Sequence, residues 1–202
     1  MTDAVDRIGT AYDVVAREHQ GLQKKAPAGS RWDRAVLAAF AEIVEPPVLE
    51  VGCGPGRITG HLARLGVAIR GIDLSPRMIE VARTTYPDLD FAVGSLFDLD
   101  VPDGGLGGLV AWYALVHTPR HLLPAAFGEF FRVLRPGGRL LVAAKGRDER
   151  YGNAVGFDVY GCPPQVLIDL MIEAGFVESV RLVRAAEGPE TQPQAYVVGV
   201  KP

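Results

Sequence analysis

The stretch from Val48 to Gly66, VLEVGCGPGRITGHLARLG, decides the reading of the fold. Val48 to Val51 is a short apolar run interrupted by one carboxylate, Glu50. Glycines follow at 52, 54 and 56, and a helical periodicity begins at Arg57 and closes at Gly66. A strand, a glycine-rich turn and a helix in that order form a ligand-binding corner, because glycine lets backbone approach a bound molecule closely. Such corners commonly hold phosphate, and Glu50 would set a like charge against it. Pro55 removes a backbone donor from the loop, and Arg57 stands where a dinucleotide-binding G-x-G-x-x-G carries its third glycine. Asp73 does lie about 20 residues downstream, where a ribose-binding carboxylate belongs. A ligand with ribose but without pyrophosphate, and with a positive charge, satisfies all of these residues.

Outward from this corner, strands alternate with helices. Val67 to Ile72 is a strand ending at Asp73, and Ser75-Pro76 opens a helix to about Thr85. Leu89 to Val93 and Leu109 to Tyr113 are further strands. Pro119 to Leu134 reads as a helix stopped by RPGG, followed by a fifth strand from Arg139 to Ala144. Pro163 to Ala174 is a helix ended by Gly175. Val177 to Val183 and Ala195 to Val200 are the last two strands. This alternation predicts an α/β fold with a doubly wound sheet, parallel for its first five strands. The last two strands have no helix between them, so they pair as a hairpin and one runs antiparallel. Ahead of the first strand, residues 3–20 read as a helix. Ser30 caps a second helix with Trp32, Val36, Leu37, Phe40 and Val44 on one stripe. These helices have no strand of their own and are expected to form a lid or wall at the strand C-termini, where open α/β sheets bind ligands. The expected organisation is one domain over 1–202, with N-terminal helices in 1–45 and a Rossmann-like core in 48–202.

The chain has 202 residues, with net charge −3, 48% hydrophobic and 22% charged residues. Nothing in that balance marks a nucleic-acid or anionic-membrane surface. The longest apolar run, Leu109 to Val116, falls far short of the ~20 residues that span a bilayer. The first residues carry acids and no apolar core of a signal peptide. Cys53 and Cys162 form neither a disulfide framework nor a metal-ligand spacing, which fits a reducing compartment and predicts a cytoplasmic protein. Cys53 reads as a small filler in the loop.

VLEVGCGPGRIT, followed by IRGIDLSPRMIEVAR, FAVGSLFDL, LVAWYALVHTP and EFFRVLRPGGRLLVA, closely resembles the class I S-adenosylmethionine-dependent methyltransferases. The resemblance runs through residues 48–145 and, more loosely, through AYDVVAREH near the start and the final hairpin. It implies strand order 3-2-1-4-5-7-6 with strand 7 antiparallel, in agreement with the hairpin. It implies S-adenosylmethionine as cofactor. Its amino-acid tail would lie against Glu50, Gly52, Cys53, Gly54 and Gly56, its ribose on Asp73, and its adenine near Leu74, Met78, Ser95 and Leu96. Trp112 would back the methionine moiety, and Tyr12 of the first helix would close over the cofactor. The chain departs from the family where Ser95 replaces a common Asp and where Gly107 replaces an acid before the fourth strand.

Methyl transfer from a sulfonium is an in-line displacement in which the protein mainly positions the acceptor. An oxygen or nitrogen acceptor can need a base. His117, after the fourth strand, is the foremost candidate, with Tyr113 beside it to shape the pocket or bind the acceptor. His19 and His121 are weaker. The segment 145–165, KGRDERYGNAVGFDVYGCPPQ, is expected to loop over the strand ends and set acceptor specificity. It is short, which favours a small-molecule acceptor over protein or nucleic acid, and the sequence leaves a homodimer open. Two rivals share the cofactor site: a fold member that catalyses cyclisation or rearrangement, and a non-catalytic binding module.

Overall fold

The computed structural model describes residues 30–146, 150–152, 158–188 and 190–202. The first predicted helix, Tyr12 and His19 lie outside them. Helix α1 (Arg31–Ile43) begins where the sequence predicts, with a reciprocal cap: Ser30 Oγ accepts from the Asp33 N–H, and Asp33 accepts from the Ser30 N–H. Then follow β1 (Val48–Val51), α2 (Arg57–Arg64), β2 (Ile69–Asp73), α3 (Pro76–Thr85), β3 (Phe91–Val93) and β4 (Leu106–Trp112). After two short 3-10 turns, Ala114–His117 and Arg120–Leu122, come α4 (Leu123–Val133) and β5 (Leu134–Lys145). A small strand pair, β6 (Arg150–Gly152) and β7 (Asp158–Tyr160), precedes α5 (Pro164–Glu173), β8 (Val177–Arg184) and β9 (Gln194–Val200).

Seven strands form one sheet in the order β3-β2-β1-β4-β5-β9-β8. β1 to β5 pair in parallel, and β9 runs antiparallel to both β5 and β8. Leaving aside the β6-β7 pair, this is the expected order 3-2-1-4-5-7-6 with its seventh strand antiparallel. Successive residues face opposite sides of a strand, and the two faces build separate cores. Leu49, Val51, Leu109, Ala111, Leu140 and Val142 pack with Phe127 and Phe130 of α4 and Leu167 and Met171 of α5. Val48, Val110, Trp112, Leu141, Ala143 and Tyr196 pack with Leu37 and Phe40 of α1 and Ile58 and Leu62 of α2. Burying a side chain such as Phe40 contributes about 1.5–3 kcal/mol, which explains where α1 sits. Its apolar stripe lies on the sheet face as a wall, and its capped N-terminus reaches the C-terminal edge of the strands.

Three sequence expectations need correction. The helix expected from Pro119 starts only at Leu123, because Pro124 lacks an N–H and fits the first helical turn but not an interior one. β5 begins at Leu134, immediately after that helix, and passes through RPGG rather than starting at Arg139. Within the segment expected as a plain loop, β6 and β7 pair antiparallel, Tyr151 opposite Val159, and β7 packs against the Ala114–His117 turn. Gly107 also has a structural reason. A Cβ there would stand 2.1 Å from the Glu45 carbonyl oxygen, so the passage beneath α1 excludes the family's acid as well as any other side chain.

Candidate functional site

The β1–α2 corner is built from backbone geometry. Gly52, Gly54 and Gly56 all adopt positive φ, at 63°, 52° and 80°. L side chains rarely take that conformation. At Gly52 a Cβ would stand 2.6 Å from the Ala114 Cβ, and at Gly56 a Cβ would stand 2.7 Å from the Phe91 ring. Gly54 differs: among the described residues nothing lies within 4 Å of its Cβ position, which leaves space above the loop for a ligand. Gly52 thus lets the turn after β4 close onto the loop, Gly56 lets the loop sit on β3, and Gly54 faces free volume.

Asp73, at the end of β2, ties this corner together. One carboxylate oxygen accepts from the Gly54 N–H at 2.8 Å and the other accepts from the Ser75 N–H at 2.9 Å. Each oxygen has a second acceptor direction. Ser75 in turn caps α3 by accepting from the Met78 N–H at 3.1 Å, with Pro76 at the first helical position. Leu74 is half-buried beside this cap and Met78 is buried.

Glu50 shares a strand face with Val48 and the α2 side of the sheet. It is 2% exposed, and its carboxylate accepts from the Thr59 hydroxyl on α2. Burial pushes its carboxyl up to about 8, against the opposing pull of the Thr59 hydrogen bonds and the Arg57 charge. Cys53 is turned into a cluster with Ile79, Ala82 and Phe91, and its N–H donates to the Ile72 carbonyl at 2.9 Å. Burial and the neighbouring Glu50 push its thiol well above the ordinary range, which suits a filler and not a nucleophile. Ser95 is half-buried, and its hydroxyl accepts from the Phe97 N–H at 3.2 Å. The Leu96 side chain is buried with Ile72 and Leu99 in the core, so only its backbone is placed to meet an adenine edge.

Beyond Trp112 the chain turns sharply. Tyr113 has φ 54°, the one positive value at a non-glycine among the described residues. A tyrosine held there signals a constraint stronger than its own preference. Its ring packs edge-on against Trp112 at 5.8 Å, and Trp112 lies 5.4 Å from the Tyr196 ring. Trp112 Nε1 is buried without a hydrogen-bond partner among the described residues. The Tyr113 hydroxyl donates to the Tyr196 hydroxyl at 3.5 Å, and that hydroxyl donates to Asp33 at 2.6 Å. Burial and the Tyr196 contact push the Tyr113 phenol far above its usual range. Arg184 approaches Tyr196 at 3.4 Å and forks onto Glu190, with one contact at 2.6 Å. His117 ends the same turn, half-buried and close to β7.

A cleft of about 330 Å³ opens beside Tyr113 at the C-terminal edge of β4 and β5, and His117 is not among its described lining residues. Asp33 of α1, Tyr113, Lys145 at the end of β5, and Glu190, Thr191, Gln192 and Gln194 near the start of β9 line it. The sequence singles out Tyr113 here and passes over the others. Asp33 reads in sequence as the acid of a capping box, which it also is. Lys145, Glu190 and Tyr196 meet only through sheet pairing and carry no motif.

Residues 48–138 match a family described as a methyltransferase domain. A demethylmenaquinone methyltransferase of Tropheryma whipplei is 30% identical over 148 residues, covering 72% of this chain and 59% of that protein's length. The chain therefore spans less than two thirds of that relative. Among solved structures, the (4+2)-cyclase SpnF superposes with TM-score 0.78 at 18% identity, covering 98% of this chain and 97% of that one. Magnesium protoporphyrin IX methyltransferase from Synechocystis PCC 6803, crystallised with bound S-adenosylmethionine, gives TM-score 0.67 at 16% identity, covering 84% and 76%. At such identities the structural likenesses establish the fold.

Proposed function

This chain belongs to the class I S-adenosylmethionine-dependent methyltransferase family, and from that premise we propose that it transfers a methyl group to an oxygen, nitrogen or carbon atom of a small-molecule acceptor. Asp73 is the observation that carries the reading. Its carboxylate is fixed at the end of β2 by the Gly54 and Ser75 N–H groups, at the position and with the acceptor chemistry that suit the vicinal hydroxyls of a ribose. The open space over Gly54 fits a ligand lying on the loop backbone. Around that anchor, Gly52, Gly54 and Gly56 would carry the amino-acid tail, with Leu74, Met78, Ser95 and the Leu96 backbone on the adenine side and Trp112 behind the methionine part. Glu50, buried beneath the loop-to-helix junction, favours a cationic over an anionic ligand once ionised.

When bound, S-adenosylmethionine supplies an electrophilic methyl group on a sulfonium. The chain's own residues hold the acceptor in line and take its proton where one must leave. Two groups suit that second task. His117 stands at the end of the turn that abuts the glycine loop. Tyr113 is held neutral and cannot serve as a phenolate, yet its oxygen can accept from an acceptor O–H or N–H. Its own proton then passes to Tyr196, whose proton passes to Asp33, so the carboxylate becomes the terminal base of a chain of hydroxyls.

Isothermal titration tests the cofactor site. The wild-type protein binds S-adenosylmethionine saturably, and Asp73→Ala weakens binding at least about tenfold through loss of a charge-assisted pair of hydrogen bonds. Absence of binding by the wild type overturns the reading. Turnover is checked by mass: transfer adds ~14 Da to the acceptor and releases S-adenosylhomocysteine, whereas product without that gain points to cyclisation or rearrangement.

A further inference from the structure

We propose that the cleft beside Tyr113 is the acceptor subsite and that Lys145 makes it selective for a compact acceptor bearing a carboxylate. The inference rests on the methyltransferase reading and names the substrate class of that same site. It follows from which polar groups in the cleft are already occupied. Asp33 is 7% exposed, and its two oxygens accept from the Tyr196 hydroxyl at 2.6 Å and the Ser30 N–H at 3.0 Å. Glu190 accepts from both terminal nitrogens of Arg184 and from the Glu187 N–H at 2.8 Å. The two acids of the cleft are thus bound up within the protein, and the Arg184 guanidinium is bound up with one of them.

Lys145 is different. It lines the cleft half-buried, and among the described residues its ammonium has no hydrogen bond or ion pair. Its charge is felt by Glu190 only at longer range. Lys145 ends β5 opposite Gln194 of β9, which sets its stem against the cleft wall. The neighbouring Gln192 is 6% exposed and its Oε1 has no partner among the described residues, so the cleft also holds an amide oxygen that wants a donor, which the O–H or N–H of an acceptor can supply and its carboxylate cannot. Buried polar groups are ordinarily paired. An ammonium with unused donors is complementary to a carboxylate, which accepts from up to four directions.

Size and lining sharpen the class. About 330 Å³ lies at the small end of ligand pockets and holds a small polar molecule. Among the described lining residues Tyr113 alone carries a large apolar surface, so they offer little for a long hydrocarbon chain. An acceptor held by its carboxylate on Lys145 would present its other polar group toward Tyr113, the lining residue next to the turn that closes on the glycine loop.

The test is calorimetric titration of three carboxylates against their amides: glycine and glycinamide, 4-hydroxybenzoate and 4-hydroxybenzamide, and 3-hydroxypropanoate and its amide. Each is titrated into the full chain with and without saturating S-adenosylhomocysteine, using wild type, Lys145→Gln and Lys145→Arg. At least one carboxylate is expected to bind wild type more tightly than its amide. Lys145→Gln should lose about tenfold to hundredfold in that affinity, as for a hydrogen bond to a charged group, and Lys145→Arg should recover part of it. S-adenosylhomocysteine affinity should stay unchanged in both variants, which separates a lost anchor from a lost fold. The inference is overturned if no carboxylate binds, if amides bind equally well, or if Lys145→Gln binds carboxylate as wild type does. Failure to bind S-adenosylhomocysteine instead refutes the methyltransferase reading, and the titrations without it still decide the role of Lys145.

Discussion

The two halves of the site lie on one edge of one sheet and are made in opposite ways. The proposed cofactor half is made of backbone: three left-handed glycines, two N–H groups on Asp73, and a serine cap. The proposed acceptor half is made of side chains from four separate parts of the chain, joined by hydroxyls and ion pairs around Tyr113 and Asp33. The backbone half fixes a shape, so it leaves no room for added atoms at Gly52 and Gly56. The side-chain half fixes a polarity, and exchanging one polar group there changes what is bound or how fast it reacts rather than whether the fold forms.

The largest expected effect tests the rigidity of the first half. Gly56→Ala combines a positive φ with a Cβ 2.7 Å from the Phe91 ring. It should lower thermal stability by about 1–3 kcal/mol, the range for strained backbone or overpacking, and abolish measurable S-adenosylmethionine binding. Gly54→Ala is the sharper companion, since its Cβ meets no atom of the described residues. It should reduce cofactor affinity more than the stability loss accounts for, and equal cofactor affinity to wild type would refute open space as the ligand's place.

A smaller effect separates the halves. Tyr113→Phe removes the first hydroxyl of the chain to Asp33 and leaves the ring that packs on Trp112. We expect cofactor affinity within twofold of wild type and a roughly 10- to 100-fold fall in kcat, with lesser change in KM. Asp33→Asn should lower kcat in the same way while keeping its N-cap partner. A fall in cofactor affinity as large as the fall in kcat would join the two halves and undo the distinction.

The subtlest test concerns Glu50. Its carboxyl is held protonated up to about pH 8 in the folded chain and titrates near 4.5 when unfolded. Between those values the folded state binds the extra proton. The resulting stability is fully present below about 4.5, falls by about 1.4 kcal/mol per pH unit, and is lost as pH rises through 8. Glu50→Gln mimics the protonated group, so this part of the pH dependence of Tm should flatten and the variant should be the more stable at pH 8. Binding a cation favours the ionised form, so wild-type affinity for S-adenosylmethionine should rise with pH from 6 to 8 and that of Glu50→Gln should not.

Much of the fold was open to reading from local pattern. The corner at 48–57 carries strand, glycines and helix within one short stretch, and Asp73-Leu74-Ser75-Pro76 announces its own cap. The edges of elements were less legible. Pro124 moved the start of α4, and β5 runs on through Gly137 and Gly138 because Leu134 pairs with Leu106 of β4 and both glycines hydrogen-bond Lys201 just past β9, with Gly137 supplying the positive φ. Glu50 was legible as a carboxylate at the right place, but its burial beneath α2 depends on Thr59 packing over it.

The sequence by itself determined the architecture and the cofactor corner, because both rest on residues close together in the chain, where conformational preference and periodicity act directly. Only the tertiary structure decided the acceptor cleft. Asp33, Tyr113, Lys145, Glu190 and Tyr196 become neighbours when α1 lies down on the sheet and β9 inserts beside β5. Their chemistry comes from burial and mutual hydrogen bonding, which no residue carries in its own stretch of sequence.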